Sequence, residues 1–109
     1  MADEGGNDMM QEPALKQKIS DDLKDAMKKG ETVRRDTLRM LNAAVKNAEI
    51  EKRGKGELDE SDIVALVARE IKRRQESIEA FKQGNRTDLA EKEAEEMAIL
   101  QAYMPQQMT

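Results

Sequence analysis

The longest apolar pattern in the chain lies between Asp59 and Met104 and predicts two helices joined by a tight corner. In the first of these helices, apolar residues recur at the three- and four-residue spacings that place side chains on one helical face. The stripe consists of Ile63, Leu66, Val67, Ile71, Ile78 and Phe81. It skips one turn at Arg74, and the opposite face is charged.

The corner itself is predicted at Gly84 and Asn85, because both residues tolerate the left-handed backbone of a helix C-terminus. Thr87 or Asp88 is expected to cap the next helix. That helix resumes the apolar spacing with Leu89, Ala90, Ala94, Met97, Leu100 and Tyr103. Since the two stripes must face each other to leave water, we expect the hairpin around Gly84 to be the centre of stability.

Two shorter patterns predict two further helices in the first half of the chain. The first runs from Pro13 through Leu15 to Gly30, and Thr32 is the expected cap of the second. The buried stripe of the second consists of Leu38, Leu41, Ala44, Val45 and Ala48. A loop at Gly54-Lys55-Gly56 follows, and Asp59 or Ser61 is expected to cap the helix after it.

No stretch alternates with a period of two, so the sequence predicts an all-α fold of about four helices with a long helical hairpin. The 109 residues suffice for one domain with a modest core. We expect a flexible acidic tail over residues 1–13, a helical domain over 14–104 and a linker over 105–109. The tail holds four of the 23 acidic residues, and the remaining 19 balance 19 basic ones.

The residues that usually perform catalysis are missing from this sequence. There is no His and no Cys, which removes the usual general base, the thiol nucleophile and thiolate metal ligands. Ser20 and Ser61 are explained as residues at or near helix caps, so no catalytic residue is predicted. Acidic pairs such as Glu91 with Glu95 are interpreted as a solvated helix face, although a divalent-ion site is the alternative. No metal and no cofactor is predicted.

The sequence also indicates a compartment. It has neither the basic and apolar blocks of a signal peptide nor an apolar run near the ~20 residues that span a membrane. We therefore expect no membrane partner. Together with the lack of cysteine, this favours a cytoplasmic location.

Five basic residues are candidates for contact with nucleic acid. Arg35, Arg39 and Lys46 recur on one face of the second helix, and Arg69 with Arg73 on the third. If those helices pack antiparallel, the two basic rows merge into one groove that fits a phosphate backbone. The alternative is a set of solvated ion pairs with interleaved acids.

Several stretches of the chain resemble the YqeY proteins of the GatB/YqeY group, from Leu15 to Met108. They are Arg34-Arg35-Asp36-Thr37-Leu38-Arg39-Met40-Leu41, the run from Glu70 to Phe81, Gly84-Asn85-Arg86-Thr87-Asp88-Leu89, Lys92-Glu93 and Leu100-Gln101-Ala102-Tyr103-Met104-Pro105. The resemblance implies an all-helical protein related to the C-terminal part of the B subunit of glutamine-dependent aspartyl/glutamyl-tRNA amidotransferase.

This resemblance carries a functional expectation. Such proteins bear an amidotransferase-like, carbon–nitrogen ligase label with glutamine as amide donor, but the subunit's ATP and metal sites belong to a separate domain. Members normally continue into a small helical tail domain, which we expect this chain to lack, so residues 105–109 are expected to be a truncated linker to that missing domain. We expect an accessory module without its own active site, whose partners are tRNA or tRNA-amidotransferase subunits. The alternative is a non-catalytic module for protein–protein interaction.

Overall fold

The structure, a computed structural model, describes residues 14–52 and 58–105. It contains four helices: α1 Ala14–Lys29, α2 Thr32–Glu51, α3 Glu60–Gln83 and α4 Thr87–Gln101. The described residues contain no strand, and the predicted all-α fold is confirmed. The acidic tail, the Gly54-Lys55-Gly56 loop and residues 106–109 lie outside the described ranges.

The helices form two hairpins that pack on each other. α1 lies along α2 and α3 along α4, while α2 also contacts α3 and α4, and α1 contacts α3. An ion pair between Lys16 and Glu49 joins the start of α1 to the end of α2. The backbone N–H of Leu15 donates to the Glu60 carboxylate at 3.2 Å, which brings the start of α3 to the same place. None of the described helices combines the length and apolarity needed to cross a membrane.

Two residues with a left-handed backbone end the first helix of each hairpin. Gly30 has a φ of 69° after α1, and Asn85 has a φ of 60° after α3. Gly84 itself keeps a φ of −91°, so Asn85 alone supplies the left-handed residue of the predicted corner. Asparagine tolerates this conformation better than most residues with a side chain.

One of the three predicted helix caps is confirmed. Asp59 Oδ1 accepts from the backbone N–H of Asp62 at 2.9 Å, and Asp62 Oδ2 accepts from the backbone N–H of Asp59 at 2.9 Å. This reciprocal pair satisfies two backbone donors that the first turn of α3 leaves free.

The other two predicted caps were wrong. Thr32 is already the first residue of α2, and the residue before it, Glu31, accepts from Arg34 at 2.8 Å instead. α4 likewise begins at Thr87 without a side-chain cap bond. Asp88 lies inside the helix, where its carboxylate accepts from Arg86. At both sites a nearby arginine engages the carboxylate.

The hydrophobic core lies where all four helices meet, not at the corner. Its buried members are Ile19, Leu38, Leu41, Val45, Leu58, Ile63, Val67, Leu100 and Tyr103. By contrast Ile78, Phe81, Leu89 and Met97 near the corner are only half-buried. The expected centre of stability around Gly84 was therefore wrong, because the buried residues of α3 all lie between Ile63 and Arg74. Beyond Arg74 the hairpin presents two helices to water instead of closing a four-helix core.

Candidate functional site

The five predicted basic residues differ in how much of their charge is already compensated. Arg35 Nε lies 3.0 Å from Asp36, and Arg73 Nη1 lies 3.1 Å from Glu70. The other three are the exposed residues Arg39, Lys46 and Arg69. Within the described ranges these three have no ion-pair partner. Their charge is the part of the set that remains available to an anionic partner.

The two basic rows have different neighbours. The side of α2 that faces α3 carries Met40, whose sulfur accepts from Arg74 at 3.4 Å, and Ala48, which lines a groove with Leu66 of α3. Arg39 is about 100° around the helix from Met40, and Lys46 is about 160° from Ala48. These basic residues of α2 therefore point away from α3. Arg69 borders that groove instead.

Arg74, which the apolar pattern passed over, is one of the best-buried charged residues. It is 7% exposed. Nη1 donates to Glu70 Oε1 at 2.7 Å, and Nε lies 3.3 Å from Glu96 Oε1 of α4. The Nε contact is an ion pair without a hydrogen bond, since Nε is buried and makes none. Arg74 thus links α3, α4 and, through Met40, α2.

A sequence signal for this cluster existed. Val67, Glu70 and Arg74 follow each other at spacings of three and four, which continue the buried face of α3 through two charged residues. A glutamate four residues before an arginine also forms an ion pair within a helix. The stripe predicted from the sequence was built from hydrophobic residues only, and it therefore skipped the position of Arg74.

A second polar cluster ties the end of α4 to the first hairpin. The Tyr103 hydroxyl donates to Asp22 Oδ2 at 2.6 Å, and Lys18 Nζ lies 3.1 Å from the same oxygen. Arg34 Nη2 lies 3.7 Å from Asp22 Oδ1, and its Nη1 donates to Asp25 at 3.0 Å. Lys18 Nζ also lies 4.8 Å from the centre of the Tyr103 ring, within the range of a cation–π contact.

This cluster holds the segment after α4 against α1 and α2, and its protonation states fit a structural role. Burial and the hydrogen bond to Asp22 raise the pKa of Tyr103 far above its ordinary value. Burial alone acts to raise the pKa of Asp22, but hydrogen bonds from Tyr103 and Lys18 and the charges of Lys18 and Arg34 outweigh it, so that pKa is lowered. At neutral pH the phenol stays protonated and the carboxylate ionised. Neither is poised to exchange a proton with a substrate.

The acidic pairs considered as an alternative metal site do not converge. Within the described ranges no three His, Cys, Asp or Glu side chains are grouped so that they could hold a metal ion. Glu96 instead lies against Arg74 and, at 3.9 Å, Lys92.

Comparison with known proteins identifies relatives of this chain. Residues 16–109 match the family model described as Yqey-like protein. Among curated proteins, the chain is similar to altered inheritance of mitochondria protein 41, mitochondrial. It is 40% identical to the Lachancea thermotolerans protein over 88 residues, which are 81% of this chain and 46% of that protein. It is 41% identical to the Kluyveromyces lactis protein over 90 residues, 83% of this chain and 46% of that protein.

These relatives correct one expectation and fix the family. They are named as mitochondrial proteins, and this finding contradicts the cytoplasmic location. The lack of an apolar membrane-spanning run and of cysteine is compatible with more than one cellular compartment, so these features did not determine the location. The chain spans about half the length of the curated relatives it matches. On the family match across nearly all of its helical part, the chain belongs to the Yqey-like proteins.

Proposed function

We propose that this chain is an accessory helical module of tRNA-dependent amidation that contacts RNA and has no active site of its own. One observation carries the proposal. Arg34 and Arg74, the arginines that link one helix to another, have carboxylates as ion-pair partners. Arg39, Lys46 and Arg69 stay exposed and, within the described ranges, uncompensated.

The geometry of these cations fits contact with a phosphate backbone. Arg39 and Lys46 are seven residues apart on the outer face of α2, so they are about 10.5 Å apart along its axis and roughly on one line. Because both residues lie within one helix, their backbone positions are already fixed before any RNA binds. Such contacts neutralise phosphates and read no base edges, so we expect weak, sequence-tolerant and salt-dependent binding to structured tRNA.

The non-catalytic half of the proposal has its own experiment. The chain is incubated with glutamine, ATP, magnesium and misacylated Glu-tRNA, and amide formation is measured on the recovered aminoacyl group. We expect no amide from the chain alone and, in a parallel gel-shift lane, retardation of the same tRNA. Amide formed by the chain alone would overturn the non-catalytic assignment. An unretarded tRNA would overturn the RNA contact.

A second candidate function is a protein–protein interaction module. The observation that favours it is Ile50, which is 62% exposed and lies one turn beyond Lys46 on α2. A large apolar side chain contributes nothing to phosphate binding but does contribute to a protein interface. Retention of purified amidotransferase subunits by the immobilised chain, with no retention of tRNA, would favour this function over the first.

A further inference from the structure

The α3–α4 hairpin carries a groove with an apolar floor and an acidic rim. The groove has a volume of about 430 Å³ and is lined by Gln75, Glu76, Ile78, Glu79 and Met97. Ile78 and Met97 are half-buried, whereas both glutamates are exposed. Neither glutamate has an ion-pair partner within the described ranges. The groove therefore offers apolar contact and uncompensated negative charge side by side.

The helix on the other side of the groove strengthens this acidic character. α4 contains five acidic residues and one basic residue. Glu96 and Asp88 are paired with Arg74 and Arg86. Glu93 lies one turn before Met97 and about 40° from it around the helix, so it faces the groove, and in the part of the chain that the structure describes it has no ion-pair partner. Such a surface repels a phosphate backbone, so its ligand differs from the one proposed for α2.

We propose that this groove is the docking site for a basic amphipathic helix of a partner protein. The apolar face of that helix packs on Ile78 and Met97, and its Lys or Arg side chains lie over Glu76 and Glu79. A groove between two helices accepts a third helix through anchors at i, i+3, i+4 and i+7. Methionine on the floor adapts to the shape of different anchors. Opposite charge at the rim selects the partner and speeds association.

The site differs from the RNA contact because it uses other residues and charge of the opposite sign. Its binding weakens as salt rises, since exposed charges at the rim are screened. The apolar floor keeps part of the affinity, so salt does not abolish binding.

The test uses the full chain and a defined probe. The probe is a synthetic helical peptide of Leu and Lys with leucine at the four anchor spacings, and its control is a scrambled peptide of the same composition. Binding is followed by fluorescence anisotropy, and its position by methyl NMR. The striped peptide is expected to saturate and to shift the methyl signals of Ile78 and Met97. The scrambled peptide is expected to bind at least tenfold more weakly.

Two charge-matched variants complete the experiment. Glu76→Lys with Glu79→Lys reverses the rim, while Asp36→Lys with Glu51→Lys makes the same charge change on exposed positions of α2. Circular dichroism checks that both variants are folded. Affinity is expected to fall at least tenfold only in the first variant. Equal loss in both, equal binding of the scrambled peptide, shifts confined to other methyl groups or the absence of saturable binding would each overturn the proposal.

Discussion

The phenolic hydroxyl of Tyr103 donates a 2.6 Å hydrogen bond to Asp22 across 81 residues of chain. This bond fixes the turn after α4 on α1, and Arg34 brings α2 to the same carboxylate. The Tyr103 side chain also belongs to the four-helix core, and its hydroxyl is the polar group at the edge of that core. Tyr103 therefore holds the turn after α4 in place in two ways, through the packing of its ring and through the hydrogen bond of its hydroxyl.

Removing this hydroxyl tests how much the hydrogen bond between Tyr103 and Asp22 stabilises the fold. Tyr103→Phe keeps the buried ring but loses a hydrogen bond to a charged acceptor, and Asp22 retains Lys18 and Arg34 as partners. We expect the free energy of unfolding to fall by about 1–2 kcal/mol, at the lower end for bonds to charged groups. Urea denaturation measures the change. A midpoint equal to that of the unmodified chain would show that the hydroxyl contributes nothing.

The acidic side of the pH–stability curve is set by carboxylates with lowered pKa values. Hydrogen bonds outweigh burial at Asp22, hydrogen bonds from Arg34 and Lys29 act at Asp25, and the cap bonds act at Asp59. Because each folded pKa lies below its unfolded value, the stabilisation is present above the unfolded pKa and is lost as pH falls through the folded one.

The chain has no His and no Cys, so no side chain with an ordinary pKa titrates between about pH 6 and 8. We expect a flat unfolding free energy across that range and a decline below about pH 4. Asp22→Asn is expected to make the acid decline shallower. A maximum or a step near neutral pH would contradict this explanation.

The buried cluster around Arg74 predicts an asymmetric mutational pattern. Arg74→Ala removes the buried cation between Glu70 and Glu96 and leaves them only the exposed partners Arg73 and Lys92, so we expect a loss toward the lower end of about 3–5 kcal/mol. Replacing all three with apolar residues, as Glu70→Leu, Arg74→Met and Glu96→Leu, is expected to cost much less than the single change. Chemical denaturation of both variants decides this. A mild effect of Arg74→Ala alone would mean that the pair is screened by water.

The position of the core predicts which apolar residues matter most. Leu38 is fully buried among the four helices, whereas Phe81 is only half-buried near the corner. Leu38→Ala is expected to cost about 2–5 kcal/mol and Phe81→Ala clearly less, although phenylalanine is larger. Thermal melting of the two variants ranks them. The reverse order would return the centre of stability to the hairpin corner.

The sequence predicted the fold well because its information is periodic. Stripes such as Leu38, Leu41 and Val45 specify both the helix and its buried face, and all three are in the core. Asp59 was predicted correctly as a cap because its partner, Asp62, is three residues away and the motif is local. Local patterns of this kind need no knowledge of the tertiary structure.

What the sequence did not predict depends on contacts between distant residues. Arg74 is buried because Glu96 meets it from another helix, and Asp22 matters because Tyr103 reaches it from the end of α4. The cap at Thr32 failed for a similar reason, since Arg34 engages the neighbouring Glu31 and Asp25 of the previous helix. RNA binding by the basic residues could not be predicted in the same way, because it depends on a second molecule.

The RNA contact on α2 and α3 is the central claim, and a tRNA titration tests it most directly. Arg39→Glu, Lys46→Glu and Arg69→Glu reverse the three predicted RNA-binding cations that have no ion-pair partner within the described ranges. Lys24→Glu, Lys28→Glu and Lys82→Glu give a charge-matched control at exposed, equally unpaired lysines outside the predicted set. The unmodified chain and the control are expected to bind with an affinity that falls steeply with salt, by a slope of roughly −0.9 per neutralised phosphate. The first variant is expected to lose binding. Equal tRNA affinity in all three proteins, or no binding by the unmodified chain at low salt, would contradict the account.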